Sequence, residues 1–252
     1  MLSQSRKHRR DRRSYTVPML GESRGWLRRR VEKTIRRGFL EAYETVKVDA
    51  GHYLLQLRIA YGLPITTYQG MFSVPLAQLD AIGADIIRSA VRIAAAEGAG
   101  LGLGGAVTLL PDLGILSVIT MRTIQKLSLL YGFEFNTEAE VADLWVAAAS
   151  AAGVDISREL LEKGVVKRFV PRVIQAIAVQ ASKEVAEKWA GRLVPVVSGA
   201  IGSGLNYYFV RTWGERAWRH FREKNRQERQ RMAENAGRLM EVSTELAPPE
   251  QP

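Results

Sequence analysis

The chain has no cysteine, which removes disulfides, thiolate metal sites and a cysteine nucleophile from consideration and fits a reducing compartment. Histidine is scarce. His8, His52 and His220 stand far apart without a partner at ligand spacing, so no metal site assembles from them and no cofactor is expected. No stretch alternates apolar and polar residues as a half-buried strand does, and no fixed-period repeat is present. Most of the chain also lacks an excess of either charge. Residues 1–37 hold 13 Lys and Arg against three acids, which accounts for the whole formal charge of +10, and the rest is neutral with 23 bases and 23 acids. No apolar core follows the pair Arg12-Arg13, so an export signal is not expected.

What is present reads as helix. The 252 residues are 46% hydrophobic, ample for a sizeable core. We expect a disordered basic arm over 1–21, a single helical domain over 22–240 and a disordered tail over 241–252. From Glu22 to Tyr61 apolar residues recur three or four apart, which predicts one amphipathic helix stopped by Gly62 and Pro64. A second helix begins at Pro75 and runs into Gly98. After a break at Leu110-Pro111, a third covers Leu113 to Leu130 and ends at Tyr131-Gly132. Thr137 and Glu140 form a capping box for a helix closed by Gly153. Asp155 caps a short helix ending near Gly164, Pro171 starts one through Trp189, and a charged helix runs from Arg211 to Met240. The fold class expected is an all-α, multi-helix bundle.

Two glycine-studded stretches stand out from this charged background. Ala99–Met121 (AGLGLGGAVTLLPDLGILSVITM) carries one charge, Asp112, and Leu193–Val210 (LVPVVSGAIGSGLNYYFV) carries none. Glycine costs about 1 kcal/mol relative to alanine inside a helix, so close packing must offset it. The pairs Gly98/Gly102, Gly100/Gly104 and Ser198/Gly202 have the spacing that lets helix backbones approach, and we expect the two segments to pack together. A dinucleotide fingerprint is excluded because a helix, not a strand, precedes the glycines. No Gly-Lys-Ser/Thr follows, which excludes a P-loop, and neither Ser198 nor Ser203 sits in Gly-x-Ser-x-Gly. Pro111 and Pro195 interrupt both segments, so a shallow or re-entrant insertion is easier than a clean membrane span.

Four residues are candidates for function. Asp112 is the lone charge of its segment, as a helix N-cap or as a buried carboxylate paired with Arg122 or Arg211. Asn206, with Tyr207 and Tyr208, gives the second segment its polar handles. A separate set is a surface-binding set: Arg28, Arg29, Arg30, Lys33, Arg36 and Arg37 with Trp26, a cationic helix face beside an apolar stripe that suits an anionic membrane. The same bases could neutralise nucleic-acid phosphates, an alternative in which the arm binds nucleic acid beside a helical interaction domain. A third reading is an enzyme with an unfamiliar site around Asp112, Arg122 and Asn206. The motif search favours a non-enzymatic protein.

Two blocks carry a family resemblance. Gly98 to Glu134, with its glycine-rich apolar stretch, Leu-Pro-Asp turn, following basic residue and terminal Tyr-Gly, resembles the EcsC protein family. Val194 to Phe221, with Pro, Gly-Ala, Gly, Asn and then Gly and Ala-x-x-x-Phe, is similar to the C-terminal pattern of that family. The resemblance implies a bacterial helical protein working at or near a membrane, and it supplies no agreed reaction and no catalytic residues. The family takes its name from a bacterial locus that also encodes an ABC transporter, so a link to a transporter or secretion system and a membrane-protein partner are implied. The expected location is cytoplasmic, peripheral to or partly inserted in the inner membrane.

Overall fold

The computed structural model describes the backbone over residues 20–101, 109–156, 166–189 and 198–245, and side chains mainly over 28–96, 114–156, 167–184 and 207–239. In chain order the elements are α1 (Leu20–Thr45), α2 (Ala50–Tyr61), a 3-10 helix (Tyr68–Ser73), α3 (Leu76–Leu101), α4 (Leu109–Leu130), α5 (Glu138–Ala151), α6 (Val166–Trp189) and α7 (Ser198–Glu245). No strand occurs among the described residues, and the protein is all-α. The run of bases in the expected arm, the short helix expected after Asp155 and parts of both glycine segments lie outside the described residues. The helices begin at Leu20 and end at Glu245, slightly beyond the expected limits of 22 and 240.

The architecture is organised around α4, which packs against α1, α3, α5 and α7. From Leu116 to Leu130 it is buried at most positions, including Met121, Ile124, Leu127 and Leu129. Yet α4 also carries Ser117, Thr120, Thr123, Gln125 and Ser128, all buried. Buried polar groups need partners, and three of these find backbone. The Thr123 hydroxyl donates to the Ile119 carbonyl at 2.8 Å, and that of Ser128 donates to the Phe133 carbonyl at 2.7 Å. Gln125 donates to the Val46 carbonyl at 2.8 Å and accepts from the Val48 N–H at 2.9 Å.

Gln125 explains a departure from the periodicity. The single helix expected over Glu22–Tyr61 is two, α1 and α2, separated by residues 46–49. There the glutamine supplies bonds that a continuous helix would make with itself. Asp49 then caps α2, its carboxylate accepting from the His52 N–H at 2.8 Å. Apolar spacing runs on through the interruption, so the pattern could not show it.

Proline misplaces two other boundaries. The break expected at Leu110-Pro111 is absent: α4 begins at Leu109, and Pro111 falls in its first turn, where a missing N–H costs little. Asp112 therefore sits inside that turn rather than ahead of it as an N-cap, and its side chain lies outside the described residues. Pro171 does not start α6 but lies within it, on an exposed face. The turn before it carries Phe169 and Val170, both buried, and their burial extends the helix upstream to Val166. The last helix likewise begins at Ser198 rather than near Arg211, absorbing the end of the second glycine segment. Other ends match the sequence signals. Gly132 (φ 91°) closes α4 with bonds from its N–H to Leu129 and from the Phe133 N–H to Ser128, and Thr137 with Glu140 forms the capping box of α5.

The apolar stripe of α1 is spent on the core. Val31, Ile35, Phe39 and Ala42 are buried against α4 and α6, and the Phe39 ring stacks on Trp213 (5.8 Å) and meets the edge of Trp145 (6.2 Å). Six bases of the same helix whose side chains are described, Arg28 to Arg30, Lys33, Arg36 and Arg37, are all exposed. So α1 offers a surface its charge, while the stripe of Val31, Ile35 and Phe39 faces inward.

Helices cross closely at glycine. A Cβ added to Gly38 would stand 2.9 Å from the Cα and carbonyl oxygen of Gly114 and from the Ser117 Cβ, whereas one added to Gly114 would meet nothing within 4 Å. This described close approach joins α1 to α4. Of the two glycine segments, only their later parts are described side by side, where Leu116 and Thr120 border one small gap with Phe209 and Trp213.

The asymmetry of the crossing is testable by thermal and denaturant unfolding. Gly38→Ala is expected to cost about 1–3 kcal/mol through overpacking. Gly114→Ala is expected to be neutral or to stabilise by up to about 1 kcal/mol through helix propensity. Equal effects at the two sites would contradict the crossing.

Candidate functional site

The site is built where α2 fails to close over the pair α3 and α4. These two run antiparallel: the Tyr131 hydroxyl at the end of α4 donates to Asp80 near the start of α3 at 2.7 Å, while Ile119 and Ile93 line one groove further along. Between them and α2 lies an open groove of about 500 Å³ with predominantly apolar walls, including Ile59, Ile86, Ile93 and Ile119. Its volume falls in the range of about 300–1,000 Å³ usual for small-molecule sites. Ile59 is 75% exposed and Ile93 52%, unusual for isoleucines beside one cavity.

The charges of the groove come mainly from α4. Ile115, Ile119, Arg122 and Lys126 recur at helical spacing along the one face of that helix that turns away from the core. Arg122 is exposed at the rim. Lys126 is half-buried, its ammonium 5.6 Å from the centre of the Tyr53 ring. Burial first, and the neighbouring Arg122 second, push the lysine below its ordinary pKa. The acid in the groove, Asp85, is ion-paired with Arg88. Among the described residues no carboxylate pairs with Arg122 or Lys126. Tyr53, on the wall, is buried, and its hydroxyl has no hydrogen-bond partner among the described residues.

The other candidates are not gathered here. Arg211 lies across α3 in a second cleft of about 620 Å³ between α3 and α7, where it binds Glu215 at 2.9 Å and the Tyr207 hydroxyl. Arg122 and Arg211 thus occupy opposite flanks of α3. Asp112 and Arg122 lie on the same helix, ten residues apart or about 15 Å along its axis. The side chains of Asn206 and Trp26 lie outside the described residues. Among the described residues no cluster of His, Asp and Glu is placed to hold a metal ion.

A polar network that sequence reasoning missed ties α7 to the start of the groove. Trp218 Nε1 donates to the Tyr131 hydroxyl at 2.6 Å, and Arg222 Nε reaches Asp80 Oδ2 at 2.9 Å. Asn225 donates to the Tyr131 carbonyl at 2.8 Å and accepts from Arg229, which also donates to the carbonyls of Met71 and Val74. Burial and the Asp80 carboxylate raise the Tyr131 hydroxyl well above its ordinary pKa, so it remains a donor. Trp218 also fills the space opposite Gly83, whose added Cβ would lie 2.9 Å from the indole. This network holds helices in place and leaves the groove open. In the sequence Asp80 stands out only as half of a poorly spaced carboxylate pair with Asp85, because its partners lie 51 and 142 residues away.

Known proteins resemble the chain in sequence. The EcsC protein family model matches residues 14–224. Protein EcsC of Bacillus subtilis (strain 168) is 26% identical over 198 residues, which cover 75% of this chain and 81% of the relative. No solved structure matches the chain.

Two substitutions test the site's energetics. Tyr131→Phe leaves Trp218 and Asp80 each short of a partner and is expected to destabilise by about 1–3 kcal/mol in denaturant unfolding. Lys126→Met is expected to raise the melting temperature near neutral pH. A lysine with a lowered folded pKa binds fewer protons folded than unfolded, so its cost is full below the folded pKa and relieved as pH rises towards the unfolded value. The gain should therefore shrink as the solution is made alkaline, and a gain independent of pH would reject the lysine's burial as its cause.

Proposed function

The chain belongs to the EcsC protein family, and from that premise we propose that it is a non-enzymatic helical protein that docks peripherally on an anionic membrane surface. The observation that carries this reading is the coincidence, on one open face, of exposed Ile59 and Ile93 with Arg122 and Lys126. Apolar side chains that enter the interface and bases that meet anionic head groups are the two contributions that peripheral binding needs. The exposed bases of α1 add charge, each base contributing about 1 kcal/mol near such a surface. The apolar contribution is assigned to the α2–α3–α4 face, because the stripe formed by Val31, Ile35 and Phe39 of α1 packs on the core. No described helix is long and apolar enough to cross a membrane.

Flotation with phosphatidylglycerol-containing vesicles is the direct measurement. The full chain is expected to float with these and to stay below with pure phosphatidylcholine, and added salt is expected to release it. Ile59→Asp with Ile93→Asp should reduce flotation without altering the melting temperature, since both positions are exposed. Equal recovery in the soluble fraction with both lipids would sink the reading, and salt-sensitive retention on DNA in its place would assign the bases of α1 to phosphate-backbone binding.

A further inference from the structure

We infer that the groove between α2, α3 and α4 takes a single anionic lipid molecule, with its hydrocarbon chain along Ile59, Ile86, Ile93 and Ile119 and its head group on Arg122 and Lys126. This rests on the surface-docking reading for the source of the ligand, and goes beyond it by requiring a bound molecule rather than a contacted surface.

Three observations support an occupant of that chemistry. The first is the distribution of polarity: the described face of α4 passes in two turns from Ile119 to Arg122 and Lys126, so one wall offers hydrocarbon and then positive charge. An amphiphile has the same order. The second is the charge balance. Asp85 is already held by Arg88, and among the described residues no carboxylate answers Arg122 or Lys126. A half-buried ammonium set close to a guanidinium is stabilised by an anion that arrives with its own apolar tail. The third is Tyr53. Its ring lies beneath the Lys126 ammonium, 5.6 Å from the ring centre, and its buried hydroxyl lacks a partner among the described residues, so the wall under the bases holds an aromatic face and a hydrogen-bonding group that the described residues leave unsatisfied.

The second cleft, across α3, is a weaker candidate although it holds more arginines. Three of its four arginines are ion-paired within the protein, Arg88 with Asp85 and both Arg211 and Arg219 with Glu215, and Arg92 donates to the Arg88 carbonyl.

Calorimetric titration of the full chain with dodecyl phosphate below its micellar concentration tests the inference, with inorganic phosphate and dodecanol as parallel probes. Dodecyl phosphate is expected to bind one to one, and each parallel probe at least about tenfold more weakly, because each lacks one half of the recognition. Lys126→Met and Arg122→Gln should each weaken dodecyl phosphate by about tenfold, the loss expected of one charge-assisted contact. Lys126→Met is expected to be no less stable than the parent chain, so its loss of binding is not a loss of fold. Unchanged affinity in both variants overturns the inference, as does equal affinity for dodecanol or for inorganic phosphate. Vesicle flotation of the same proteins separates the two readings. Flotation without dodecyl phosphate binding leaves surface docking standing and removes the groove, whereas binding without flotation removes surface docking and leaves a site for a free anionic amphiphile.

Discussion

The burial of α4 is the constraint on which the rest of the molecule depends. A helix covered by four others must satisfy every buried polar side chain it carries from within the protein, and this one carries Thr123, Gln125 and Ser128 on buried positions. Gln125 does so by taking the backbone of residues 46–48, and in doing so it ends α1 and frees α2 to take its own direction. Ser128 bonds the carbonyl just past the helix end, beside the glycine turn that leads towards α5. Close approach does the remaining work, because Gly38 lets α1 lie directly on the α4 backbone, where an added Cβ would stand 2.9 Å from the Gly114 Cα. Interiors packed to this density have little room for a methyl group.

The open groove follows from the same arrangement. Since α1, α3, α5 and α7 all press on α4, only the stripe of Ile115, Ile119, Arg122 and Lys126 is left, and α2 covers it incompletely. The network of Asp80, Tyr131, Trp218 and Arg222 fixes the angle between α3, α4 and α7 at one end, so the groove is a feature of rigid elements rather than of loops. That setting lets half-buried Lys126 and exposed Ile59 coexist in one small region. Each has a cost that a bound or contacted anionic amphiphile would offset.

Much of the local structure was legible. The capping box at Thr137 and Glu140, the glycine stops after Tyr131 and at Gly153, and the helical stripe of Leu116 to Leu130 are interactions between residues a few positions apart, and sequence displays those directly. Family membership was legible for a similar reason, through two ordered blocks of local pattern. Proline was a poorer guide, because its cost depends on whether the turn is the first of a helix, as at Pro111, or faces solvent, as at Pro171. The candidate site was only half visible: Arg122 stood out beside the first glycine segment, but Lys126, Tyr53, Asp85 and Ile93 come from three helices with no shared motif.

The sequence by itself determined that this protein is helical, where most of its helices end and that its excess charge is gathered at the N-terminal side. It could do so because hydrophobic period, capping chemistry and charge counts are properties of neighbouring residues. Tertiary structure decided which apolar stripe is consumed by the core and which is left at the surface. Apolar residues recur at the same helical spacing in α1, α2 and α3, and only the packing of the helices around α4 buries Phe39 while leaving Ile59 and Ile93 beside two bases.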